Sequence, residues 1–237
     1  MCQKSNSKLY LIPNCLSENC FHYALPQKVI QTIHGLNYFI VENIRSARRF
    51  LSKINHPQRI DNLIFRELNE HTTETEVINL LQFIQTNNVG VITEAGVPGV
   101  ADPGASIVEL AHHNNIRVIP LVGPSSILMA LMASGLNGQS FAFVGYLPVK
   151  KNERQEKIRF LEQRSIKEKQ TQIFIETPYR NKQLLDDILM CCSSSTKLTI
   201  AAAITGNNEY IRTKSIKEWK TKLPELHKIP TVFLLSL

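Results

Sequence analysis

The sequence predicts an α/β protein built as two α/β domains, residues 1–121 and 122–237, and three observations carry that reading. Along the first half, apolar runs of strand length alternate with stretches of helical periodicity, the pattern of a mostly parallel sheet covered on both faces. After Gly123-Pro124 the pattern changes to strands separated by short turns around one long charged helix, which suits a mixed sheet. A 237-residue chain with 43% hydrophobic content can also fill two modest cores, since domains run roughly 100–150 residues.

In chain order, Leu9 to Ile12 is a short apolar run closed by the turn residues Pro13 and Asn14, and Val29, Ile30 and Ile33 then recur at helical spacing. Tyr38 to Val41 forms a second strand, followed by a basic helix from about Ile44 to Ile54. Leu63 to Phe65 is a third strand candidate. Thr73 and Glu76 form a capping-box pattern ahead of Val77, Leu80, Leu81 and Ile84. Val89 to Thr93 has the composition of a buried parallel strand, Ile107, Leu110 and Ala111 mark a helix face, and Ile116 to Leu121 is another strand.

In the second half, a small-residue helix over Ser126 to Ser134 precedes the strand Phe141 to Val144. A charged helix fills roughly Asn152 to Glu168, then come the strand Gln172 to Glu176, the helix Asn181 to Met190 and the strand Leu198 to Ala202. Tyr210 to Thr213 and Thr231 to Leu237 complete the strands.

No run reaches the roughly 18 apolar residues a membrane span needs. Met1 to Lys8 carries no apolar core, so a soluble protein with a cytoplasmic address and no membrane partner is expected. Five cysteines, an odd number with the adjacent pair Cys191-Cys192 and no C-x-x-C, do not form a disulfide framework. Cys15, Cys20 and His22 are the one weak metal candidate against the plainer reading of buried thiols, and no metal is expected. The net charge of +7 hints at a polyanionic partner. The cations cluster at Arg45-Arg48-Arg49, from Lys150 through Arg154 and Arg159 to Arg164, and from Lys214 to Lys222. A solvated basic surface is the alternative.

The most informative stretch runs from Val91 to Gly104: a buried strand, a loop with Gly96, Gly99, Pro98 and Pro103, then a helix from about Ala105. Ligands of open α/β sheets sit beyond the carboxyl ends of strands, where glycine lets backbone approach a ligand and proline stiffens the loop. Neither the P-loop Gly-Lys-Ser/Thr nor the dinucleotide fingerprint G-x-G-x-x-G is present, which points away from ATP and NAD. Leu121 to Ile127 repeats strand, tight turn, hydroxyl residues and helix. There, Ser125 and Ser126 serve either as caps or as ligand partners.

These residues carry a resemblance. Val91 to Gly104, Leu121 to Ser126 and Phe143-Val144-Gly145-Tyr146-Leu147-Pro148 match in order and spacing three motifs of the ribosomal RNA small subunit methyltransferase I family, within the tetrapyrrole-methylase superfamily. The family patterns are Ser-Asp-Ala-Gly-Thr-Pro-x-x-x-Asp-Pro-Gly, then Pro-Leu-Pro-Gly-Pro with two small residues, then Phe-x-Gly-Phe-Leu-Pro. Leu9 to Pro13 resembles its first strand and Glu176-Thr177-Pro178-Tyr179-Arg180 its Glu-Ala-Pro-His-Arg. The resemblance implies a tetrapyrrole-methylase-like fold, S-adenosyl-L-methionine in a cleft between the two domains, and a homodimer. Carried over by position, the cofactor meets Pro13 and Leu16; Glu94, Ala95, Gly96 and Val97; Ser125, Ser126 and Ile127; Ile175 and Glu176; Ala202 and Ala203; and Pro230 and Thr231.

Three departures stand out. The family's Pro-Ile-Gly-Asn is replaced by a glycine-free loop from Asn14 to Asn19, Glu-Asp-Thr-Arg becomes Glu42-Asn43-Ile44-Arg45, and Arg-Glu-Leu-Thr-Lys becomes Ala202-Ala203-Ile204-Thr205-Gly206. The chain also stops at Leu237, before a C-terminal segment that many members carry.

The implied activity is methyl transfer to RNA, small-subunit rRNA at a ribose 2′-hydroxyl. A weak nucleophile of that kind gains from a nearby base. Glu42 is the candidate base, with Glu94 behind it, and Arg45 is placed beside Glu42 in the catalytic set; an ion pair with a nearby arginine is the alternative for either glutamate. Arg45, Arg48 and Arg180 are candidates for holding phosphate, because a guanidinium fork matches it. Two other readings stay open: a methylase of a tetrapyrrole-like small molecule or modified protein side chain, and a cofactor-binding protein without turnover.

Overall fold

The computed structural model describes residues 7–18, 20–69 and 72–237. Cys2, Asn19, His71 and the side chain of His22 lie outside the described residues. The chain divides into two compact units, Met1–Ser125 and Ser126–Leu237, against an expected joint near residue 121.

Alternation along the strands builds the first unit. Its strands are β1 (Lys8–Ile12), β2 (Tyr38–Val41), β3 (Ile64–Glu67), β4 (Val89–Ile92) and β5 (Arg117–Pro120), in the order β3-β2-β4-β1-β5. Every pairing is parallel. Successive side chains point to opposite faces, so Ile12, Phe39, Val41 and Ile92 pack on one side and Leu9, Ile40, Val89 and Val91 on the other. A sheet loaded on both faces needs helices on both. The short α1 (Phe21–Ala24) precedes α2 (Gln27–His34), and α2 with α3 (Ile44–Lys53) covers the first face through Val29, Ile33, Phe50 and Leu51. On the second face, α4 (Glu74–Thr86) and α5 (Gly104–His113) contribute Leu80, Ile84, Ile107 and Ala111. The expected Thr73–Glu76 capping box is present in full, starting α4. A Cβ on Gly90 would lie 2.4 Å from Ile12 Cδ1 and 3.1 Å from Phe39 Cδ1, so a larger residue there would force these core side chains to shift.

This arrangement places the site. β1 and β4 are neighbours, yet the chain leaves β1 toward α2 on one face and leaves β4 toward α5 on the other. A crevice opens at the carboxyl ends of strands wherever adjacent connections diverge in this way.

The second unit is a mixed sheet, β6 (Phe141–Tyr146), β7 (Thr171–Ile175), β8 (Lys197–Ala202), β9 (Tyr210–Ser215) and β10 (Thr231–Ser236), ordered β6-β7-β10-β8-β9. β6 runs parallel to β7, and the remaining pairs are antiparallel. Its helices are α6 (Ser126–Ser134), α7 (Lys151–Glu168), α8 (Asn181–Cys191) and α9 (Ile216–Trp219). Phe174 stacks on Phe233 at 6.0 Å, and the fully buried Trp219 donates its indole N–H to the Leu198 carbonyl at 2.8 Å. The sequence reading stops at Thr213 and omits α9, although Ser215 and Glu218 carry the capping-box spacing and form the box.

One sequence reading needs correction here. Arg154, grouped above with the basic cluster of the long helix, is buried. Its Nε and Nη2 bind Asp187 Oδ2 at 2.8 and 2.6 Å, and its Nη1 donates to the Val149 carbonyl at 2.6 Å. The residue that looked like surface charge is a tie between α7, α8 and the loop after β6.

Candidate functional site

In the first unit, the loops after β1, β4 and β5 are locked together by one side chain and two glycines. The Asn14 N–H donates to the Gly96 carbonyl at 2.8 Å, and the Gly96 N–H returns to the Asn14 carbonyl at 3.1 Å. Asn14 Nδ2 donates to the carbonyls of Thr93 (2.9 Å) and Glu94 (3.2 Å), while Oδ1 accepts from the Cys15 N–H at 2.8 Å. The glycine-free first loop is thus fastened by an asparagine whose amide uses both ends. Gly96 has φ of 77°, and a Cβ there would meet Leu16 Cδ2 at 3.4 Å and the Pro124 carbonyl at 3.7 Å. Gly123 has a different reason for being glycine: a Cβ would sit 2.2 Å from Pro13 Cβ. Its role is close packing of the β1 and β5 loops.

Further along the same loop, Asp102 Oδ1 accepts from the N–H groups of Gly99 (2.7 Å) and Gly104 (2.8 Å), tying the loop into the start of α5. The sequence reading did not single out Asp102. The aspartate followed by Pro103-Gly104 at a helix start was the available signal.

Glu42, at the end of β2, reaches this junction. Its Oε1 accepts from Thr93 Oγ1 at 2.8 Å and from the Glu94 N–H at 3.0 Å, in place of the arginine partner held open as the alternative. Asn43 caps α3 by accepting the Ser46 N–H at 3.1 Å, so the altered Glu-Asn-Ile-Arg segment keeps a capping side chain as good as aspartate. The exposed Glu94 carboxylate is held by the Ser46 hydroxyl. The structure therefore gathers Pro13, Leu16, Glu42, Glu94, Ala95 and Gly96 at the carboxyl ends of β1, β2 and β4. Arg45 is exposed to solvent on the first turn of α3, and Arg48 is turned to Asp61 in an exposed ion pair.

Against this junction lies a cavity of about 330 Å³ lined by Asn14 to Glu18, Phe21, Ser46, Arg49, Phe50, Lys53, Glu94 and Ala95. Cys15 and Cys20 are both buried. Burial, with the neighbouring Cys20 thiol, pushes the Cys15 thiol far above its ordinary range, which leaves it a poor thiolate donor. Among the described residues no group of three or more His, Cys, Asp or Glu could hold a metal ion.

In the second unit, the ends of β7 and β8 and the start of β10 lie side by side. Ile175 pairs with Val232, Ala202 pairs with Thr231, and the Ala203 N–H donates to the Pro230 carbonyl at 2.9 Å. Glu176 is buried, and its Oε1 accepts from Arg180 Nη2 and Nε at 2.6 and 3.0 Å and from the Thr177 N–H at 2.6 Å. Arg180, read as a phosphate holder, is therefore engaged by its own carboxylate four residues back. Glu176 Oε2 and Asn181 Oδ1 are buried acceptors with no hydrogen-bond partner among the described residues. Such a group costs about 1–3 kcal/mol, and a ligand bearing N–H donors would relieve it. Ser126 and Ile127 open α6, which packs on β9 and β10.

A family model described as tetrapyrrole (corrin/porphyrin) methylases matches residues 25–220. The chain is 30% identical over 203 residues to the protein named ribosomal RNA small subunit methyltransferase I of Buchnera aphidicola, covering 86% of this chain and 67% of that one. Proteins of the same name match in Synechocystis (30% identity, 77% of this chain, 62% of that one) and Halalkalibacterium halodurans (32%, 69% and 54%). The chain thus spans between about half and two-thirds of the length of these relatives. Among solved structures, the methyltransferase CobJ superposes with a TM-score of 0.64 at 14% identity, over 98% of this chain and 94% of that one. The cobalamin-biosynthesis precorrin-6Y methylase of Archaeoglobus fulgidus gives 0.56 at 15%, over 97% and 96%. At those identities the likeness concerns the fold.

Proposed function

We propose, from the premise that this chain belongs to the tetrapyrrole (corrin/porphyrin) methylase family, that it is an S-adenosyl-L-methionine-dependent methyltransferase of small-subunit rRNA acting on a ribose 2′-hydroxyl. The observation that carries the RNA reading is 30% identity to a small-subunit rRNA methyltransferase across 86% of the chain.

The residues present suit the cofactor. Glu176 Oε2 is a buried acceptor without a hydrogen-bond partner among the described residues, and the cofactor's ammonium and adenine amino groups are donors. In the first unit, the proposed contacts are Pro13, Leu16, Glu94 to Val97 and Ser125; in the second, Ser126, Ile127, Ile175, Glu176, Ala202, Ala203, Pro230 and Thr231. When bound, the cofactor supplies an electrophilic methyl group on a sulfonium. The chain's part is alignment, which for an in-line displacement carries much of the rate. Asn14 holds the β1 and β4 loops in one geometry. Both donors to Glu42 fall on Oε1, so Oε2 is the atom proposed to take the proton of the acceptor hydroxyl. Arg45, exposed beside it in sequence, is assigned to the acceptor's phosphate.

No helix among the described residues is long and apolar enough to cross a membrane. A cytoplasmic homodimer is the proposed working form, and sedimentation of the purified chain tests the assembly. The function itself is tested by mass spectrometry of rRNA nucleosides from cells lacking and regaining the gene, alongside calorimetry with S-adenosyl-L-methionine. The expected affinity is micromolar, about −8 kcal/mol. Cofactor binding with unchanged rRNA nucleosides would move the assignment to a small-molecule methylase or to a binding protein without turnover.

A further inference from the structure

The 330 Å³ cavity of the first unit carries groups that the proposed chemistry does not use. Two aromatic residues line it, the half-buried Phe21 and the buried Phe50, with rings 5.8 Å apart at 39°. Its rim is cationic. Arg49 and Lys53 are four residues apart on α3, so they share one helix face, and both are exposed. Among the described residues neither has a carboxylate partner. Lys53 instead sits over the Phe21 ring at 5.1 Å. Arg48, on the next helix row, is already engaged by Asp61.

Two carboxylates, Glu18 and Glu94, line the same space and balance the two cations. A bare anion gains little from such a lining. A ligand bearing both a phosphate and N–H or O–H donors satisfies both signs at once, and a flat apolar face suits the Phe21 ring. That description fits a nucleotide. The volume lies at the lower end of small-ligand sites, which run roughly 300–1,000 Å³, and so suits one unit rather than a stack. Proteins that read single-stranded RNA splay bases onto aromatic side chains in this manner. The cavity's far wall is Cys15, Leu16 and Ala95, within the loops proposed for the cofactor.

We infer that this cavity receives one unstacked nucleotide of the RNA acceptor, its phosphate held between Arg49 and Lys53 and its base lying against Phe21. The inference rests on the RNA reading above, and the experiment separates the two. The wild-type chain, Arg49→Gln/Lys53→Gln and Phe21→Ala are compared by fluorescence anisotropy with a single-stranded small-subunit rRNA fragment from about 50 to 300 mM salt. Each is also titrated calorimetrically with S-adenosyl-L-methionine. Glutamine keeps the aliphatic stems of two exposed residues, so folding is preserved. The double variant is expected to bind cofactor within about twofold of wild type and RNA at least tenfold more weakly. Its slope of log affinity against log salt should fall by about 1.4, at roughly 0.7 per single-strand phosphate contact. Phe21→Ala is expected to weaken RNA with the wild-type slope, since it removes a platform and no charge. Wild-type RNA affinity and slope in the double variant overturn the pocket and leave the RNA reading standing. A double variant that loses the cofactor reassigns the cavity to the cofactor and overturns the inference as well. Wild type that binds no RNA at any salt overturns both.

Discussion

Replacing Asn14 by alanine should loosen the junction on which the whole site depends. The backbone bridge to Gly96 survives, because it uses main-chain atoms. The side chain's three bonds do not: the Thr93 and Glu94 carbonyls lose their Nδ2 donor and the buried Cys15 N–H loses Oδ1. A typical bond contributes about 0.5–1.5 kcal/mol net, and a buried group left unpaired costs about 1–3. The sum comes to about 2–4 kcal/mol, and water entering the vacated space moves it toward the lower figure. Asn14→Asp is nearly isosteric and should be worse, since it sets a carboxylate oxygen at 2.9 and 3.2 Å from two carbonyl oxygens. Urea unfolding measures both variants; the midpoint should fall with the m-value unchanged. Hydrogen exchange at the Gly96 amide, which bonds the Asn14 carbonyl at 3.1 Å, reports the local effect, and cofactor affinity should drop by tenfold or more. A loss under 0.5 kcal/mol with unchanged Gly96 exchange would falsify the clamp. So would an aspartate variant milder than the alanine one.

Other expectations follow from the same geometry. Gly123→Ala should cost about 3 kcal/mol or more, because its Cβ meets a rigid proline ring at 2.2 Å, whereas Gly96→Ala should cost only the left-handed strain of about 1–2 kcal/mol; thermal melts that rank them the other way refute this. Asp187→Ala should destabilise by about 3–5 kcal/mol by stranding the buried Arg154, and the double change Arg154→Met/Asp187→Leu should recover much of the loss in urea titrations. Arg45→Ala should lower the salt slope of RNA binding by about 0.7, while Arg48→Ala, whose guanidinium faces Asp61, should leave it near wild type.

The strands and long helices were legible because each is a periodic pattern with its own punctuation. β4 reads as a run of apolar residues and is buried from end to end, and the Thr73–Glu76 box starts α4 where its spacing says. The short elements were not. α9 is four residues long, too brief for periodicity, and only its Ser215–Glu218 box announces it. α1 lacks a side-chain cap altogether. At the site, sequence order could place loops at strand ends. It could not reveal which atoms satisfy one another. That Gly123 makes room for Pro13, that Asp102 ties Gly99 to Gly104, and that Asn14 ties the β1 loop to the β4 loop are facts of contact between residues distant in sequence or bound through side-chain geometry.

Charge shows the same limit and also what survives it. The sequence pools its 27 Lys and Arg against 20 Asp and Glu into a net +7 and three basic clusters. In the fold, Arg48, Arg154, Arg164, Arg180 and Lys150 each face a carboxylate. Each such pair removes one charge of each sign from what a partner can use, so the excess of seven is carried by the cations left over. α3 is where they concentrate: Arg45, Arg49 and Lys53 lie beside the paired Arg48 on a ten-residue helix with no acidic residue. Arg45 also stands in the first turn, at the positive end of the helix dipole, where a cation costs about 0.3–1 kcal/mol. A local rule broken without a structural gain marks a functional position more often than a structural one. Arg45, Arg49 and Lys53 are therefore where an anionic acceptor has most to gain, and their combined salt slope is the measurement on which the RNA reading turns.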